Sequence, residues 1–225
     1  MTTIKNVFLD AGGVILDEHE YESACATAIT NILSSFSSTY SQEQYWIDVS
    51  EAVVRFVPSV YNYVIWKNVQ DHSRYQDAVS EFRRLRTEFC RSLSLMEGIE
   101  DILPKLARRF RVGILGQYGP ELRDLLSDRG LIEFFTFAYT QDEFLLTKPD
   151  PRYFEQVLKR AGAVAQESLM VGDRIDKDII PAKTICMNTI RIVGGIHSNQ
   201  KPRTPEEEPD IELTSIKELP KALGI

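Results

Sequence analysis

The sequence predicts an α/β fold in which a doubly wound parallel sheet carries an inserted bundle of α-helices. Two observations support this fold class. After Gly98 the chain alternates between helix-like and strand-like segments, which is typical of a parallel sheet covered by helices on both faces. Between residues 17 and 96 it contains no glycine and a single proline, Pro58, and apolar residues recur at spacings of three and four. We therefore expect an α/β core interrupted by a helical insertion.

The amino-terminal part of the chain is predicted to form the first strand and then the helical insertion. Residues 4–9 (IKNVFL) are branched or aromatic for the most part and precede Ala-Gly-Gly, which predicts a buried strand ending in a glycine loop. Four helices are predicted next, and we interpret them as a bundle. They cover residues 19–37, 41–57, 59–70 and 74–93.

The remaining elements are predicted to complete a Rossmann-like sheet, because right-handed crossovers between parallel strands produce a doubly wound arrangement. Helices are predicted over residues 98–109, 119–129, 150–161, 176–185 and 215–222. Strands are predicted over residues 111–115, 135–139, 168–171, 188–193 and 211–213. The polar, proline-rich stretch 197–209 is predicted to be a loop. We assign residues 1–17 and 97–225 to the core domain and residues 18–96 to the helical domain.

Composition limits the classes of partner. The net charge of −7 gives no electrostatic reason to expect binding to nucleic acid or to an anionic membrane, so a small molecule is the expected partner. Three scattered cysteines favour a reducing compartment over a disulfide framework. No segment reaches ~18 uncharged apolar residues. These features predict a cytoplasmic protein, and they do not indicate its oligomeric state.

Chemically active residues follow several of the predicted strands. Asp10 comes after the first strand, Gly116-Gln117 after the second, Lys148 in a later loop and Asp173 after the strand that ends at residue 171. Each alone is typical of a turn or a helix cap. Because ligands of such sheets bind beyond the carboxyl ends of the strands, we expect these residues to converge there.

The residue types suit a reaction at an anionic group. Asp10 is the candidate nucleophile, since a carboxylate can form a covalent intermediate that water later cleaves. Asp173 and Asp178 are spaced to help hold a divalent cation, and magnesium suits carboxylate ligands. Lys148 would offset the negative charge of nucleophile and substrate. The Gly12-Gly13 pair lets the backbone approach a bound anion closely.

Four segments resemble the ordered motifs of the haloacid dehalogenase superfamily of hydrolases. They are FLDAGGVILD, ILGQYGP, KPDPRYF and VGDRIDKDIIPAK, and the helical stretch lies where many members insert a cap domain. The resemblance implies Asp10 as nucleophile, with Asp10, the Gly12 carbonyl and Asp173 as Mg²⁺ ligands. It implies Asp178 as further support for the metal and Lys148 as the charge that steadies nucleophile and phosphate.

Two positions depart from the pattern of the family's phosphatases. Gly12 stands where those enzymes keep an Asp that protonates the leaving alcohol and then activates water. Such proton transfer typically contributes ~100- to ~10,000-fold, so good leaving groups should suffer least. Gly116 stands where a Ser or Thr hydroxyl normally binds a phosphate oxygen, and it supplies only a backbone N–H. Gln117 is a candidate replacement donor, and Arg174 could contact an anionic substrate or pair with acidic neighbours.

These features lead to one main hypothesis and several alternatives. The main hypothesis is a Mg²⁺-dependent phosphatase of a small phosphorylated metabolite that forms an aspartyl-phosphate at Asp10. Gly12 also suits a 2-haloacid dehalogenase, because halide leaves without a proton, although such enzymes dispense with the metal. A phosphonate hydrolase would need Lys67, in the helical segment, as a buried amine with a lowered pKa. A ligand-binding or regulatory protein with weak or no catalysis is the alternative outside enzymology.

Overall fold

In the computed structural model, the structure describes residues 3–37, 39–89, 94–116, 118–139 and 143–225. The strands, in chain order, are β1 Asn6–Leu9, β2 Leu16–Asp17, β3 Ser94–Leu95, β4 Arg111–Ile114, β5 Phe137–Ala138, β6 Ser168–Gly172, β7 Asn188–Ile192 and β8 Ile211–Leu213. The α-helices are α1 His19–Ser34, α2 Gln42–Val54, α3 Val60–Asn68, α4 His72–Phe89, α5 Ile99–Ala107, α6 Pro120–Asp128, α7 Pro151–Ala161, α8 Ile180–Thr184 and α9 Leu219–Ala222. The predicted helical end at residues 90–93 lies outside the described residues.

Six strands form one parallel sheet in the order β5-β4-β1-β6-β7-β8. The chain adds β4 and β5 on one side of β1, and then β6, β7 and β8 on the other. The winding direction therefore reverses at β1, which confirms the predicted doubly wound α/β fold. Crevices for ligands open at such a reversal, beyond the carboxyl ends of the neighbouring strands. The short strands β2 and β3 pair separately with each other.

The chain divides into two compact units. One comprises Met1–Asp17, Leu95–Gly194 and Pro202–Ile225, and the other comprises Glu18–Ser94 with Gly195–Lys201. The expected division assigned residues 195–201 to the α/β core, but this short segment belongs to the helical unit. The physical reason is local packing, because Ile196 packs against the apolar core of the helices and Asn199 Nδ2 donates to Ser50 Oγ at 3.5 Å.

Within the helical unit, α1 to α4 bury a shared apolar core. Ser41 caps α2 because its Oγ accepts a hydrogen bond from the backbone N–H of Gln44, and Ser59 caps α3 in the same way through the N–H of Asn62. The buried face of these helices includes Ile29, Leu33, Tyr45, Val49, Val53, Val64, Ile65 and Phe82. The spacing of apolar residues that predicted a helical bundle thus corresponds to the buried faces. No helix within the described ranges is long and apolar enough to cross a lipid bilayer.

The predicted helix over residues 176–185 is wrong in form. A π-helical turn, Ile175–Ile179, comes first, and only Ile180–Thr184 is α-helical. Pro181 has no backbone N–H to donate to residue 177, so a continuous α-helical ladder is broken here. Such wide turns are frequent at functional sites. The stretch 197–209 is also more structured than predicted, because it contains short 3₁₀ turns and the buried residue Gln200.

Candidate active site

Three adjacent strands of the sheet deliver the candidate residues to one edge. Asp10 directly follows β1, Gly116 follows β4 and Asp173 follows β6. The ladder extends to this edge, because Asp10 N–H donates to Val171 O at 2.8 Å and Leu115 N–H donates to Leu9 O at 2.9 Å. The site therefore lies where the sheet reverses its winding.

Three carboxylates meet at this edge. One oxygen atom each from Asp10, Asp173 and Asp178 lies within 4.8 Å of the other two. Asp178 is 1% exposed and Asp173 is buried, whereas the Asp10 side chain is 14% exposed. Clustered carboxylate oxygens suit a hard divalent cation such as Mg²⁺. Asp10 is the member of the cluster that is most accessible to a reacting molecule.

Lys148 joins two of these carboxylates. Its Nζ donates to Asp10 Oδ1 at 2.7 Å and to Asp178 Oδ1 at 2.5 Å, and its side chain is 2% exposed. Burial by itself lowers the pKa of Lys148, but the negative charges of Asp10 and Asp178 outweigh burial and raise the pKa above its usual value. Lys148 therefore carries a permanent positive charge beside the candidate nucleophile.

Asp178 is held from two directions. Lys148 Nζ donates to Oδ1, and the backbone N–H of Arg174 donates to Oδ2 at 3.0 Å. Burial outweighs the lowering effect of Lys148, so that the pKa of Asp178 is raised to about 6. The wide turn Ile175–Ile179 brings this side chain against Gly172, where an added β-carbon would overlap Asp178. Gly172 is thus required for the close approach of the third carboxylate.

The glycine loop after Asp10 forms a tight turn. Ile15 and Leu16 donate their N–H groups to Ala11 O at 2.9 and 2.8 Å. Gly13 has a φ of +66°, and an added β-carbon would lie 3.1 Å from Asp173 Cγ. Gly13 therefore meets both a conformational and a steric requirement. Gly12 is buried, and its backbone does not adopt the left-handed region.

Gly116 lies close to the candidate nucleophile. A β-carbon there would lie 3.2 Å from Asp10 Oδ1 and 3.0 Å from Ala11 Cβ. Its carbonyl accepts a hydrogen bond from Tyr153 Oη at 3.2 Å. Sequence reasoning missed Tyr153, although the motif KPDPRYF contains it. Gln117 lies outside the described residues, so the structure does not place this candidate donor.

Arg174 pairs with an acidic neighbour in this structure. Its Nε and Nη2 donate to the two carboxylate oxygens of Asp176 at 3.1 and 2.6 Å. The next basic residue, Lys177, is half-buried and has no ion-pair partner among the described residues. Burial, followed by the charge of Arg174, lowers the pKa of Lys177. Sequence reasoning missed Lys177 because only burial distinguishes it from a surface lysine.

The chain resembles known hydrolases in sequence. A family model described as haloacid dehalogenase-like hydrolase matches residues 26–192. Over 90 residues, 40% of this chain and 38% of the relative, it is 41% identical to the glyceraldehyde 3-phosphate phosphatase of Methanocaldococcus jannaschii. Over 122 residues, 53% of this chain and 47% of the relative, it is 30% identical to the phosphoserine phosphatase of Thermus thermophilus. The matches span less than half the length of these two curated relatives.

The chain also resembles solved structures. The HAD hydrolase YfnB of Bacillus subtilis, solved bound to magnesium, matches over 100% of both chains with a TM-score of 0.69 at 19% identity. That level of identity shows a shared fold alone. The family model, by contrast, covers well over half of the 225 residues. The chain therefore belongs to the haloacid dehalogenase-like hydrolases.

Proposed function

We propose that this hydrolase is a Mg²⁺-dependent phosphatase that acts on a small phosphorylated metabolite through an aspartyl-phosphate at Asp10. The observation that carries the proposal is the charge of the site. Three clustered carboxylates and the ammonium of Lys148 leave two negative charges, which a divalent cation would balance. Two relatives are named as phosphatases of glyceraldehyde 3-phosphate and of phosphoserine, which supports a small phosphorylated metabolite as the substrate. The cytoplasmic location remains a prediction from the sequence.

The residues present fit a magnesium ion. Asp10, Asp173 and Asp178 would hold it. The resemblance to the family implies the backbone carbonyl of Gly12 as a further oxygen ligand. When bound, the ion would neutralise charge on the phosphoryl oxygens. Magnesium prefers oxygen ligands and retains water, which suits a site with few protein ligands.

The chain's own residues supply the covalent step. A carboxylate oxygen of Asp10 attacks phosphorus, a new O–P bond forms, and the bond from phosphorus to the leaving oxygen breaks with its electron pair. Lys148 holds Asp10 in place and offsets the charge that enters with the substrate. Water then attacks the aspartyl-phosphate, which releases inorganic phosphate and restores the carboxylate. The backbones of Gly13 and Gly116 are candidate contacts to the substrate's anionic group, because a glycine backbone can approach an anion closely, and Arg174 is a further candidate contact.

Gly12 narrows the substrate class within this proposal. It offers no side chain that could protonate a departing alkoxide. Acyl and aryl phosphates release a carboxylate or a phenolate, which need little or no protonation, so they should be the better substrates. Simple alkyl phosphates should be turned over more slowly.

Phosphate release tests the proposal directly. Purified protein should be incubated with acyl, aryl and alkyl phosphates, each with Mg²⁺ and with chelator, beside Asp10→Asn. We expect the wild type, but not Asp10→Asn, to release phosphate in the presence of Mg²⁺. Acyl and aryl phosphates should be hydrolysed faster than alkyl phosphates. If no substrate is turned over above the Asp10→Asn background, the proposal fails. Tight binding of phosphate, without trapping of a fluoride analogue of the aspartyl-phosphate at Asp10, would then indicate a regulatory protein.

Carbon–halogen hydrolysis is the second candidate, and Gly12 is the observation that favours it. Halide needs no proton, so the missing Asp would cost such an enzyme nothing. Chloride release from a 2-chloroacid that persists in chelator would support this candidate. Strict dependence on Mg²⁺ would exclude it.

The phosphonate alternative is contradicted by the surroundings of Lys67. Its Nζ donates to Asp48 Oδ1 at 2.7 Å and to Glu51 Oε2 at 2.5 Å. These hydrogen bonds raise the pKa of Lys67, and the bond to Asp48 contributes more than the bond to Glu51. A Schiff base requires a neutral amine, so an ammonium held by two carboxylates does not supply the required nucleophile.

A further inference from the structure

Arg191 is a buried cation next to the candidate metal site. It lies on β7 opposite Gly172 of β6, and its side chain is 1% exposed. Nε donates to the backbone carbonyl of Asp173 at 3.2 Å, and Nη1 donates to Glu212 Oε1 at 3.0 Å. Glu212 is its register partner on β8. One guanidinium thus connects the ends of three neighbouring strands.

Packing alone does not explain an arginine at this position. Burying a guanidinium is costly, and an apolar side chain of similar size usually stabilises a core as well or better. The hydrogen bond to Asp173 gives a specific reason for it. Asp173 lies one residue beyond Gly172, the last residue of β6 that pairs with β7. Its backbone carbonyl instead accepts a hydrogen bond from the side chain of Arg191.

We propose that Arg191, held by Glu212, is a positioning residue that fixes the backbone of Asp173 and thereby sets the affinity of the three-carboxylate site for a divalent cation. This inference rests on the proposed metal-dependent function. Partners that orient metal ligands from outside typically contribute 10- to 100-fold to metal affinity. A guanidinium acting through its charge alone would repel the cation, so the sign of the effect separates positioning from electrostatics.

Mn²⁺ binding, measured by the EPR signal of the free ion, tests the inference without activity. Arg191→Met removes the guanidinium, and with it the hydrogen bonds to Asp173 and Glu212, while it keeps most of the side-chain volume. We expect it to weaken Mn²⁺ binding roughly 10- to 100-fold. Arg191→Lys keeps the positive charge but lacks the planar guanidinium that donates in two directions. Its Mn²⁺ affinity should lie between those of Arg191→Met and the wild type. Glu212→Gln, at a half-exposed position, should weaken binding less while leaving the fold intact.

Arg111→Met is the matched control. Arg111 also donates to a backbone carbonyl, that of Ala161 at 2.8 Å, but it begins β4 and lies level with Ser168. Asp173 is five residues further along, or about 16 Å at the rise of a strand. Arg111→Met should therefore leave Mn²⁺ affinity unchanged even if it lowers the melting temperature.

The outcomes separate this inference from the proposed function. Wild-type protein that binds no Mn²⁺ would overturn the metal-dependent function, and this inference with it. Wild-type binding that Arg191→Met leaves unchanged or tightens would overturn the inference alone. If Arg191→Met does not fold, Arg191→Lys decides, since unchanged Mn²⁺ affinity in that variant would equally contradict the role of the Arg191 guanidinium.

Discussion

Gly12 removes one side chain from the site without imposing a special backbone conformation. Its φ does not lie in the left-handed region, so an aspartate at this position would not meet the backbone strain expected at Gly13. The backbone of the turn therefore does not by itself require glycine at position 12. This makes the consequence of Gly12 directly testable.

Gly12→Asp should accelerate alkyl phosphate hydrolysis by ~100- to ~10,000-fold, because it restores a group that can protonate the leaving alkoxide. Aryl phosphates should gain much less. The measurement is the ratio of kcat/KM for an alkyl and an aryl phosphate. Gly12→Asn, which has the same shape but cannot transfer the proton, is the control. Equal gains in the two variants would contradict a proton-transfer role.

Gly172→Ala should displace Asp178, because the new methyl group would overlap its side chain. We expect loss of divalent-cation binding together with destabilisation of about 1–3 kcal/mol from overpacking. Mn²⁺ titration and chemical denaturation measure the two effects. Gly194→Ala is the control, since nothing lies within 4 Å of a β-carbon there. Unimpaired Mn²⁺ binding in Gly172→Ala would show that the site tolerates the shift.

At the scale of elements, Asp48 ties α2 to α3. Its buried carboxylate accepts hydrogen bonds from Tyr40 Oη, Gln44 Nε2, Lys67 Nζ and Asn68 Nδ2 at 2.7 to 3.1 Å. Burial raises the pKa of Asp48, but the hydrogen bonds from Lys67, Asn68 and Gln44 together lower it below its usual value. The ionised form is therefore the one that the helical unit stabilises.

Asp48→Asn should destabilise the protein at pH 7 by about 1–3 kcal/mol, because its partners lose a charged acceptor. The pKa is lower in the folded state than in the unfolded state. The stabilisation is therefore present above the unfolded value of about 3.9 and is lost as the pH falls toward the folded value. Urea denaturation from pH 7 to pH 3 should show the variant and wild type converging. Asp77→Asn, at an exposed position on α4, should show no such convergence. A pH-independent difference for Asp48→Asn would contradict this account.

At the scale of the whole molecule, the charge of the site links metal binding to stability. Without a cation, the folded protein must hold three carboxylates together against one ammonium. A cation that binds only the folded state shifts the folding equilibrium toward that state.

Mg²⁺ at a hundredfold excess over its Kd should increase the free energy of unfolding by about 2.7 kcal/mol. Thermal denaturation with Mg²⁺ and with chelator measures the shift. Asp10→Asn removes one charged ligand of the cation, so its stability should increase less on addition of Mg²⁺ than that of the wild type. An equal shift from NaCl at matched ionic strength would indicate screening instead of binding.

The sequence by itself determined the fold class and the order of the motifs, because strand runs, glycine loops and helical spacing are local properties. It also identified Asp10, Lys148, Asp173 and Asp178, since residues at the carboxyl ends of parallel strands share one edge. The wide turn before α8 was missed, because its form depends on how Asp178 packs against Gly172.

Only the tertiary structure decided which charges are paired. Lys67 lies 19 residues from Asp48 and 16 residues from Glu51 in the sequence, and Arg191 reaches Asp173 from another strand. Such contacts depend on distances between elements, and no local pattern encodes them. Arg174 differs, because its partner Asp176 is only two residues away, and the structure selects this pairing from the two alternatives that the sequence left open. Local chemistry therefore pointed to the family and to Asp10 as its candidate nucleophile, whereas packing between elements determined which charges of the site are paired.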